Sequence, residues 1–504
     1  MSKEVGITVS KNDNFSEWYT QVVVKAELAD YAPVKGLIVL RPDGYSIWES
    51  IKESLDKKLK ETGHRNGFLP ILIPESLLGK EKEHFEGFNP EVFWVTHSGD
   101  SEIGDRLALR PTSETLAYSL YSKWIKSWRD LPLKINFWNT ALRAEIKGTK
   151  PFLRTSEFLW QEGHTVHVSK DEAEKEVADI LQLYKKTIEE ELAIPVITGK
   201  KSEKDKFVGA VYTNTLESLM PDGKALQMGT SHFLGQNFSK PFEVKYLNEN
   251  NNEIFAWQTS WGVSWRLIGG MIMTHGDDKG LVLPPKIAPI QVVIIPIYYS
   301  KEDREKVVNE ANQVKHALSS ANIRTHLDDR DQLTPGFKFH DWELKGIPIR
   351  IEIGPKDIAK NQVVLVGRHN QTKTDVSIEN VSEYVTLELE KIQKQMFEDA
   401  KKILDDRVVK VTEYEQFKKE LDNGKMIDCG WCGKQNCEDK IKEETVADLR
   451  VIPSDNKQKS ESCVYCKEKS VTNALFARGY YDYIKTRISN ERVLSGYFSI
   501  LKIL

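Results

Sequence analysis

Two extended runs around one short loop constrain the fold most. The first is "INFWNTALRAEI" at 135–146 and the second "FLRTSEFLWQEGHTVHV" at 152–168, and the "KGTKP" between them carries the Gly and Pro of a connecting loop. The pattern predicts a long antiparallel hairpin. Side chains alternate along a strand, so Phe158, Trp160, Glu162 and His164 share one face, Arg143 and Glu145 are i, i+2 neighbours on the other run, and Arg154 lies just past the turn. A solvated sheet face with weak surface ion pairs would explain the charges. It would not explain a Trp and a His on that face within so apolar a stretch. The better reading is a site for an anionic, partly cyclic ligand, with arginine supplying fork-shaped donors to phosphate or carboxylate.

The rest of the chain divides into three segments. Its 504 residues, 40% hydrophobic and 29% charged, suit a soluble globular protein of two to four domains and argue against disorder and fibres. The start has no apolar signal core, and the longest oily run, "IAPIQVVIIPIYY", is too short and proline-broken to cross a bilayer; a cytoplasmic protein with no membrane partner is expected. A net charge of -4 does not exclude nucleic acid, which needs only local basic clusters. "KKSEKDK" at 200–206 could be one, but reads better as a solvated turn. Up to about residue 285, amphipathic helices alternate with strands: Ile47, Ile51, Leu55 and Leu59 recur at i+4 before Gly63, and Ser169 with Glu172 opens a helix burying Ala173, Val177, Leu181, Tyr184 and Ile188. "LVLPPKIAP" at 281–289 reads as a linker. After it, "QVVIIPI", a helix from about Lys301, "IRTHLDD", "IPIRIEI" and "NQVVLVG" predict an α/β unit, and from about 390 the sequence is helical and charged as far as the cysteines.

All five cysteines lie between Cys429 and Cys466, in "CGWCGKQNC" and "CVYC". Clustered cysteines in a cytosolic chain point to metal or redox chemistry. "CGWC" alone would suit a thiol–disulfide motif, but that needs a βαβ setting which its Lys/Glu-rich surroundings do not offer. Two short-spaced groups fit tetrahedral thiolate zinc better. One cysteine is spare, and spacing leaves open whether it is Cys429, Cys432 or Cys437.

An arginine and a glutamate on a strand, a loop, and then a second arginine look like the second signature motif of class II aminoacyl-tRNA synthetases. With "RPTSET" at 110–115, "FLRTSEFLWQEGHT" at 152–165, "TSHFLGQNFSKPFE" at 230–243 and "HGDDKGLVLPP" at 275–285, the chain up to about Tyr480 closely resembles prolyl-tRNA synthetases of the archaeal and eukaryotic type. The resemblance implies an α+β catalytic domain on an antiparallel sheet (1–285), an α/β anticodon-binding domain (286–390) and a small α+β zinc-binding domain with an extension (391–504). It implies a cytoplasmic homodimer, formed around "GFLPILIP" near Pro70 and Pro74, that activates L-proline with ATP and Mg2+ and transfers it to tRNA(Pro).

The same resemblance assigns residues. Thr112 and Glu114 would take the proline imino group, a cation on an apolar ring that wants acceptors beside a hydrophobic floor; Trp160, Glu162, His164 and His232 would wall the ring. Arg143 would bridge the substrate carboxylate and the ATP α-phosphate, and Glu145, Arg154, Thr155, Gln227, Thr230, Ser264 and Arg266 would form the rest of the ATP site, with a magnesium-bridged phosphate pair near Gln227. Arg143 and Arg266 are the expected catalytic residues, since two anions must meet and no side-chain nucleophile is required. Glu343, Arg350, Lys356 and Asp357 match anticodon-reading positions; on "PIRIEIG", Ile349, Ile351 and Ile353 would face inward and Arg350 would be exposed. Cys432, Cys437, Cys463 and Cys466 match the zinc ligands, leaving Cys429 spare.

Departures are visible too. Ala144 stands where the family carries an aromatic residue, and is expected to face away from the ligands. Trp265 stands where a small hydroxyl residue precedes the motif arginine. The interval between the second and third motifs has no room for a large editing domain, and residues follow "LFARGYY" where the family ends on a tyrosine. A tRNA-binding paralogue without activity would be expected to lose the ATP arginines, and a threonine enzyme to carry a catalytic-domain zinc. Arg143, Arg154 and Arg266 are present, and no cysteine lies in the first 428 residues.

Overall fold

The structure, a computed structural model, describes residues 6–84, 91–144, 148–454 and 460–480. Glu145 and the extension after 480 lie outside the described residues. The hairpin forms as expected but is shorter at its tip: strand Leu133–Leu142 pairs antiparallel with Glu157–His167, from Leu133 opposite Val166 to Leu142 opposite Glu157. Arg143 and Arg154 therefore stand on the connection and not within the strands.

This hairpin sits in an eleven-stranded sheet. Next to Glu157–His167 come Trp257–Ser264, Lys224–Gly235, Tyr212–Leu219 and Ile197–Lys200 in that order, all antiparallel. Parity divides the two faces. On the back, Tyr184 from helix Lys170–Glu191 donates to Gln161, and Gly163 lies against the ring of Trp261, where an added Cβ would come within 2.0 Å of ring carbon. Ser169 caps that helix by accepting from the Glu172 amide at 3.2 Å, and Ala173, Val177, Leu181, Tyr184 and Ile188 are all buried. Ile47, Ile51, Leu55 and Leu59 of helix Pro42–Glu61 join the same core. Removal of such apolar surface from water is the main stabilising term here. The front face is left to the polar residues of the opening motif.

The sheet does not stop at the first segment. Strand Ala447–Pro453 pairs with Ile197–Lys200, and beyond it lie Thr472–Gly479, Met426–Trp431 and Val408–Lys410. The cysteine-bearing segment thus continues the catalytic sheet, a long-range pairing that local patterns do not announce. Helix Val381–Arg407 runs unbroken across residue 390 and leads into it.

The middle unit is a five-stranded sheet in the order Thr325–Leu327, Val292–Pro296, Ile349–Ile353, Gln362–Gly367, Lys373–Ser377, the first three parallel. Helix Pro335–Leu344 and the last strand were not read from the sequence. Ionic clamps hold this unit to the first: Arg368 grips Asp277 with two hydrogen bonds of 2.8 and 2.5 Å, Lys345 reaches Glu27 at 2.9 Å and Asp43 at 2.8 Å, and Lys279 reaches Glu343 at 2.9 Å.

The contact at Gly163 carries a prediction. Gly163→Ala should destabilise the protein by about 1–3 kcal/mol, the range for overpacking a filled core. Chemical or thermal unfolding of the variant reads this, and an unchanged midpoint would show that the sheet back relaxes freely.

Candidate active site

The front face of the sheet opens into a cavity of about 420 Å³. Its floor is the register itself. Trp160 lies opposite Ser264, Glu162 opposite Gly262 and His164 opposite Ser260, while on the next strand Thr230 lies opposite Gly262 and His232 opposite Ser260. Thr112, Glu114, Arg143, Arg154, Thr155, Gln227 and Arg266 line the same cavity, so every described residue expected at the proline and ATP sites converges there.

One end is built around a buried carboxylate. Glu162 accepts from Asn139 Nδ2 at 2.9 Å, from His164 Nε2 at 2.9 Å, from the Ser113 amide at 3.3 Å and from the Ser113 hydroxyl. Burial alone would push its pKa up; the hydrogen bond and charge of His164, with Ser113 and Asn139, outweigh this and hold it below the usual range. Burial works against the charge on His164 as well, but Glu162 and Glu114 raise it above its ordinary value. Thr112 donates to Glu114 beside this pair. Nearby, His232 meets the hydroxyls of Thr213 at 2.9 Å and Thr230 at 3.0 Å, and its ring lies 4.7 Å from Phe207. Burial lowers His232 to about 3, so it is neutral at pH 7. The indole N–H of Trp160 and the hydroxyl of Ser260 are buried without a protein hydrogen-bond partner.

The other end is cationic. Arg143 lies over the Phe158 ring at 5.3 Å and donates weakly to the Pro111 carbonyl at 3.4 Å. Arg266 opens helix Arg266–His275 and donates to the Gln227 carbonyl at 3.4 Å. Burial first, then the charges of Arg143, Arg450 and Arg154, lower it to about 10, so it stays protonated at pH 7. Arg154 donates to the carbonyl of Tyr480. Trp265 packs edge-on against Phe152 at 5.9 Å and so adds a wall without filling the cavity. Ala144 does not line it.

The sequence missed several residues that support or line the site. Ser113 and Asn139 support Glu162 from separate elements; "RPTSET" contained the first, but nothing marked the second. Lys201 and Arg450 also line the cavity. This corrects the solvated-turn reading of 200–206 at two positions: Glu203, Lys204 and Asp205 do form an exposed turn, but Lys201 and Ser202 are buried, because a neighbouring strand and the Cys437-bearing helix cover them.

Two further clusters were anticipated. The thiols of Cys432, Cys437, Cys463 and Cys466 lie within 4.8 Å of one another, a four-sulfur donor set able to hold a metal ion, whereas Cys429 points to the Ala474 carbonyl at 3.9 Å. In the middle unit, Glu343 and Arg350 line one shallow depression with Arg368, and Lys356 and Asp357 do not; Asp357 instead accepts from the Gly354 amide at 2.9 Å. Arg350 lies on the face opposite the isoleucines but is not exposed. It bonds Glu352 at 2.8 and 3.0 Å and lies over Phe339 at 4.3 Å, since helix Pro335–Leu344 covers that face.

An antiparallel sheet carrying two arginines and a motif-bearing hairpin at one cavity is the architecture of a class II aminoacyl-tRNA synthetase. The profile of the tRNA synthetase class II core domain (G, H, P, S and T) matches residues 93–275, that of an anticodon binding domain 291–388, and that of the prolyl-tRNA synthetase C-terminal region 414–480. A proline–tRNA ligase of Cenarchaeum symbiosum is 66% identical over 477 residues, covering 95% of this chain and all of that protein. One from Natranaerobius thermophilus is 49% identical, over 93% of this chain and 97% of its own. A crystal structure of prolyl-tRNA synthetase from Cryptosporidium parvum, complexed with halofuginone and AMPPNP, superposes with a TM-score of 0.90 at 42% identity, covering 95% of this chain and 98% of that one. The chain belongs to the prolyl-tRNA synthetase family and is a ligase of the ATP-using class II type.

The buried pair at the apolar end predicts a pH window. Glu162, depressed below its ordinary 4.5, stabilises the fold above that pH and ceases to as pH falls through its folded value; His164, raised above 6.5, stabilises it below that pH and ceases to as pH rises through its folded value. The difference in melting temperature between wild type and Glu162→Gln/His164→Asn should therefore be largest from about pH 4.5 to 6.5. A difference independent of pH from 4 to 9 would show that the pair is not ionic.

Proposed function

We propose that the cavity is the prolyl-adenylate site, and that the single observation carrying this reading is the joining of a carboxylate-and-imidazole pocket to an arginine-lined trough in one enclosure. Proline's ammonium is met by Thr112 and Glu114, and its ring by Trp160, Glu162, His164 and His232. Neutral His232 can wall an apolar ring without adding a repelling charge. Arg143 spans the junction, where the proline carboxylate attacks the ATP α-phosphorus. The new O–P bond forms as the bond to pyrophosphate breaks, and the terminal ribose hydroxyl of tRNA(Pro) then displaces AMP from the acyl carbon. Arg143 and Arg266 lower the repulsion between two anions and neutralise charge on the leaving group, which is where most of the acceleration arises. Arg154, Thr155, Thr230, Ser264 and Gln227 hold the nucleotide. Magnesium takes much of its coordination from phosphate oxygens and water, so a trough with few carboxylates near Gln227 suits it; when bound it would screen the phosphates.

The units 1–285, 286–390 and 391–504 then serve catalysis, anticodon reading and metal-supported structure. Glu343 and Arg350, in their shared depression, read loop bases through exposed Watson–Crick edges; Lys356 and Asp357, which lie outside that depression, are carried only by the family resemblance. The apolar side chains of Phe68, Ile71 and Leu72, with Phe68 85% exposed, support a homodimer formed around "GFLPILIP". No helix among the described residues is long and apolar enough to cross a membrane, in keeping with a cytoplasmic setting.

Two experiments test these roles. Arg143→Ala should reduce proline-dependent pyrophosphate exchange by roughly 100- to 1000-fold, the effect of losing about 3–4 kcal/mol of transition-state stabilisation. Activity within a few-fold of wild type would remove Arg143 from the chemistry. For the metal, zinc held by Cys432, Cys437, Cys463 and Cys466 contributes folding energy. Cys432→Ser should lower bound zinc and the stability of the C-terminal unit while Cys429→Ser should change neither, and equal zinc loss from both would overturn this ligand set.

A further inference from the structure

The connection between the two hairpin strands ends in a tight turn, residues 150–154, that presents Arg154 to the cavity. Lys150 and Arg154 face each other across it: each amide donates to the other's carbonyl at 2.8 Å. Phe152, between them, has a φ of 61°, in the left-handed region that a bulky residue rarely adopts. The turn is held from two sides. Phe152 and Leu153 anchor its middle in the core. Helix Phe15–Lys25 holds its start: the Tyr19 hydroxyl donates to the Pro151 carbonyl at 2.7 Å, and Lys150 Nζ donates to the Ser16 carbonyl at 2.6 Å, Ser16 Oγ at 2.8 Å and Thr20 Oγ1 at 3.3 Å.

The same helix reaches the second ATP arginine. Leu153 and Tyr19 close over Gly269 of helix Arg266–His275, where a Cβ would come within 2.6 Å of Leu153 and 3.0 Å of the Tyr19 hydroxyl. An apolar side chain at 150 would join turn to helix without the cost of drawing an ammonium out of water. What the ammonium adds is direction: Ser16 and Thr20 are i, i+4 neighbours on one helix face, and three hydrogen bonds to them fix where the turn stands. Lys150 also lies over the Tyr19 ring at 5.0 Å. Burial lowers its pKa to about 8, opposed by the charges of Glu17 and Asp222 and helped by that of Lys224. At the same corner burial raises Tyr19 and Tyr480 well above their ordinary value, so both stay protonated.

We propose that Lys150 is a positioning residue for adenylation: bound to helix Phe15–Lys25, it sets the place of Arg154 in the ATP trough. This rests on the ATP reading above. Lys150 does not line the cavity and acts through its backbone bridge to Arg154. As pH rises through about 8 the ammonium loses its proton, and with it the charge that strengthens its hydrogen bonds, so the hold on the turn weakens.

The test is proline-dependent pyrophosphate exchange on the full-length protein, with ATP and proline varied separately from about pH 7 to about pH 9.5. At the lower pH, Lys150→Met should raise the KM for ATP by about fivefold or more, the scale of a misplaced binding group, and leave the KM for proline within about twofold. Lys150→Arg, charged throughout, should recover most of the loss. The wild-type KM for ATP should climb as pH passes about 8, and the climb should be smaller in Lys150→Arg. The deciding comparison is made in Arg154→Met. Adding Lys150→Met there should change the ATP KM by less than about twofold, because the effect passes through Arg154. A full Lys150→Met effect in that background, an unchanged ATP KM in Lys150→Met alone, or an equal climb with pH in wild type and Lys150→Arg would overturn the proposal. An unchanged ATP KM in Arg154→Met, or no proline-dependent exchange in the wild type, would instead overturn the functional reading on which it rests.

Discussion

Three antiparallel strands hold one register: His232 faces Ser260, which faces His164, and Thr230 faces Gly262, which faces Glu162. A slip of one residue would turn Gln161 and Gly163 into the cavity and press Glu162 against helix Lys170–Glu191. The back face prevents the slip, since Gly163 admits the Trp261 ring only without a Cβ and Gln161 is bonded to Tyr184. Packing on one face thus sets the chemistry on the other. The rest of the site is placed relative to that floor: Arg143 at the open end of the hairpin, Arg266 directly after the strand that ends in Ser264, and Arg450 on a strand added at the far side.

The electrostatics divide along the same floor. At one end a carboxylate and an imidazole neutralise each other inside a ring of hydrogen bonds, which suits an apolar ring bearing a cation. At the other end arginines outnumber carboxylates, and their repulsion is visible in Arg266, lowered to about 10 by burial and by its cationic neighbours. In the proposed ATP site a phosphate would relieve that repulsion, so that part of it would become binding energy for the anion. The clamps of Arg368 on Asp277 and Lys345 on Glu27 and Asp43 fix the middle unit against this catalytic core.

What the sequence revealed was local or motif-bound. Period-2 alternation showed the face shared by Phe158, Trp160, Glu162 and His164, and i+4 spacing showed the buried stripe of helix Pro42–Glu61, because both depend on neighbours along the chain. Residue-by-residue likeness to a family supplied Gln227, Thr230 and Arg266, whose segments look unremarkable alone. Pairings between segments more than 200 residues apart remained invisible. Lys201 read as part of a solvated turn because its cover, Arg450 and Glu438, lies in another unit; Arg350 read as exposed because helix Pro335–Leu344, with its weak apolar pattern, had not been foreseen.

Proline-dependent pyrophosphate exchange, run on the purified protein with each of the twenty amino acids, tests the central claim most directly. A pocket that binds a five-membered ring between Trp160 and His232 should give strong exchange with proline and weaker, measurable exchange with alanine, which is merely smaller and loses only about 1–3 kcal/mol per missing methylene. Other amino acids should give little. Exchange led by any amino acid other than proline, or no exchange at all, would contradict the account.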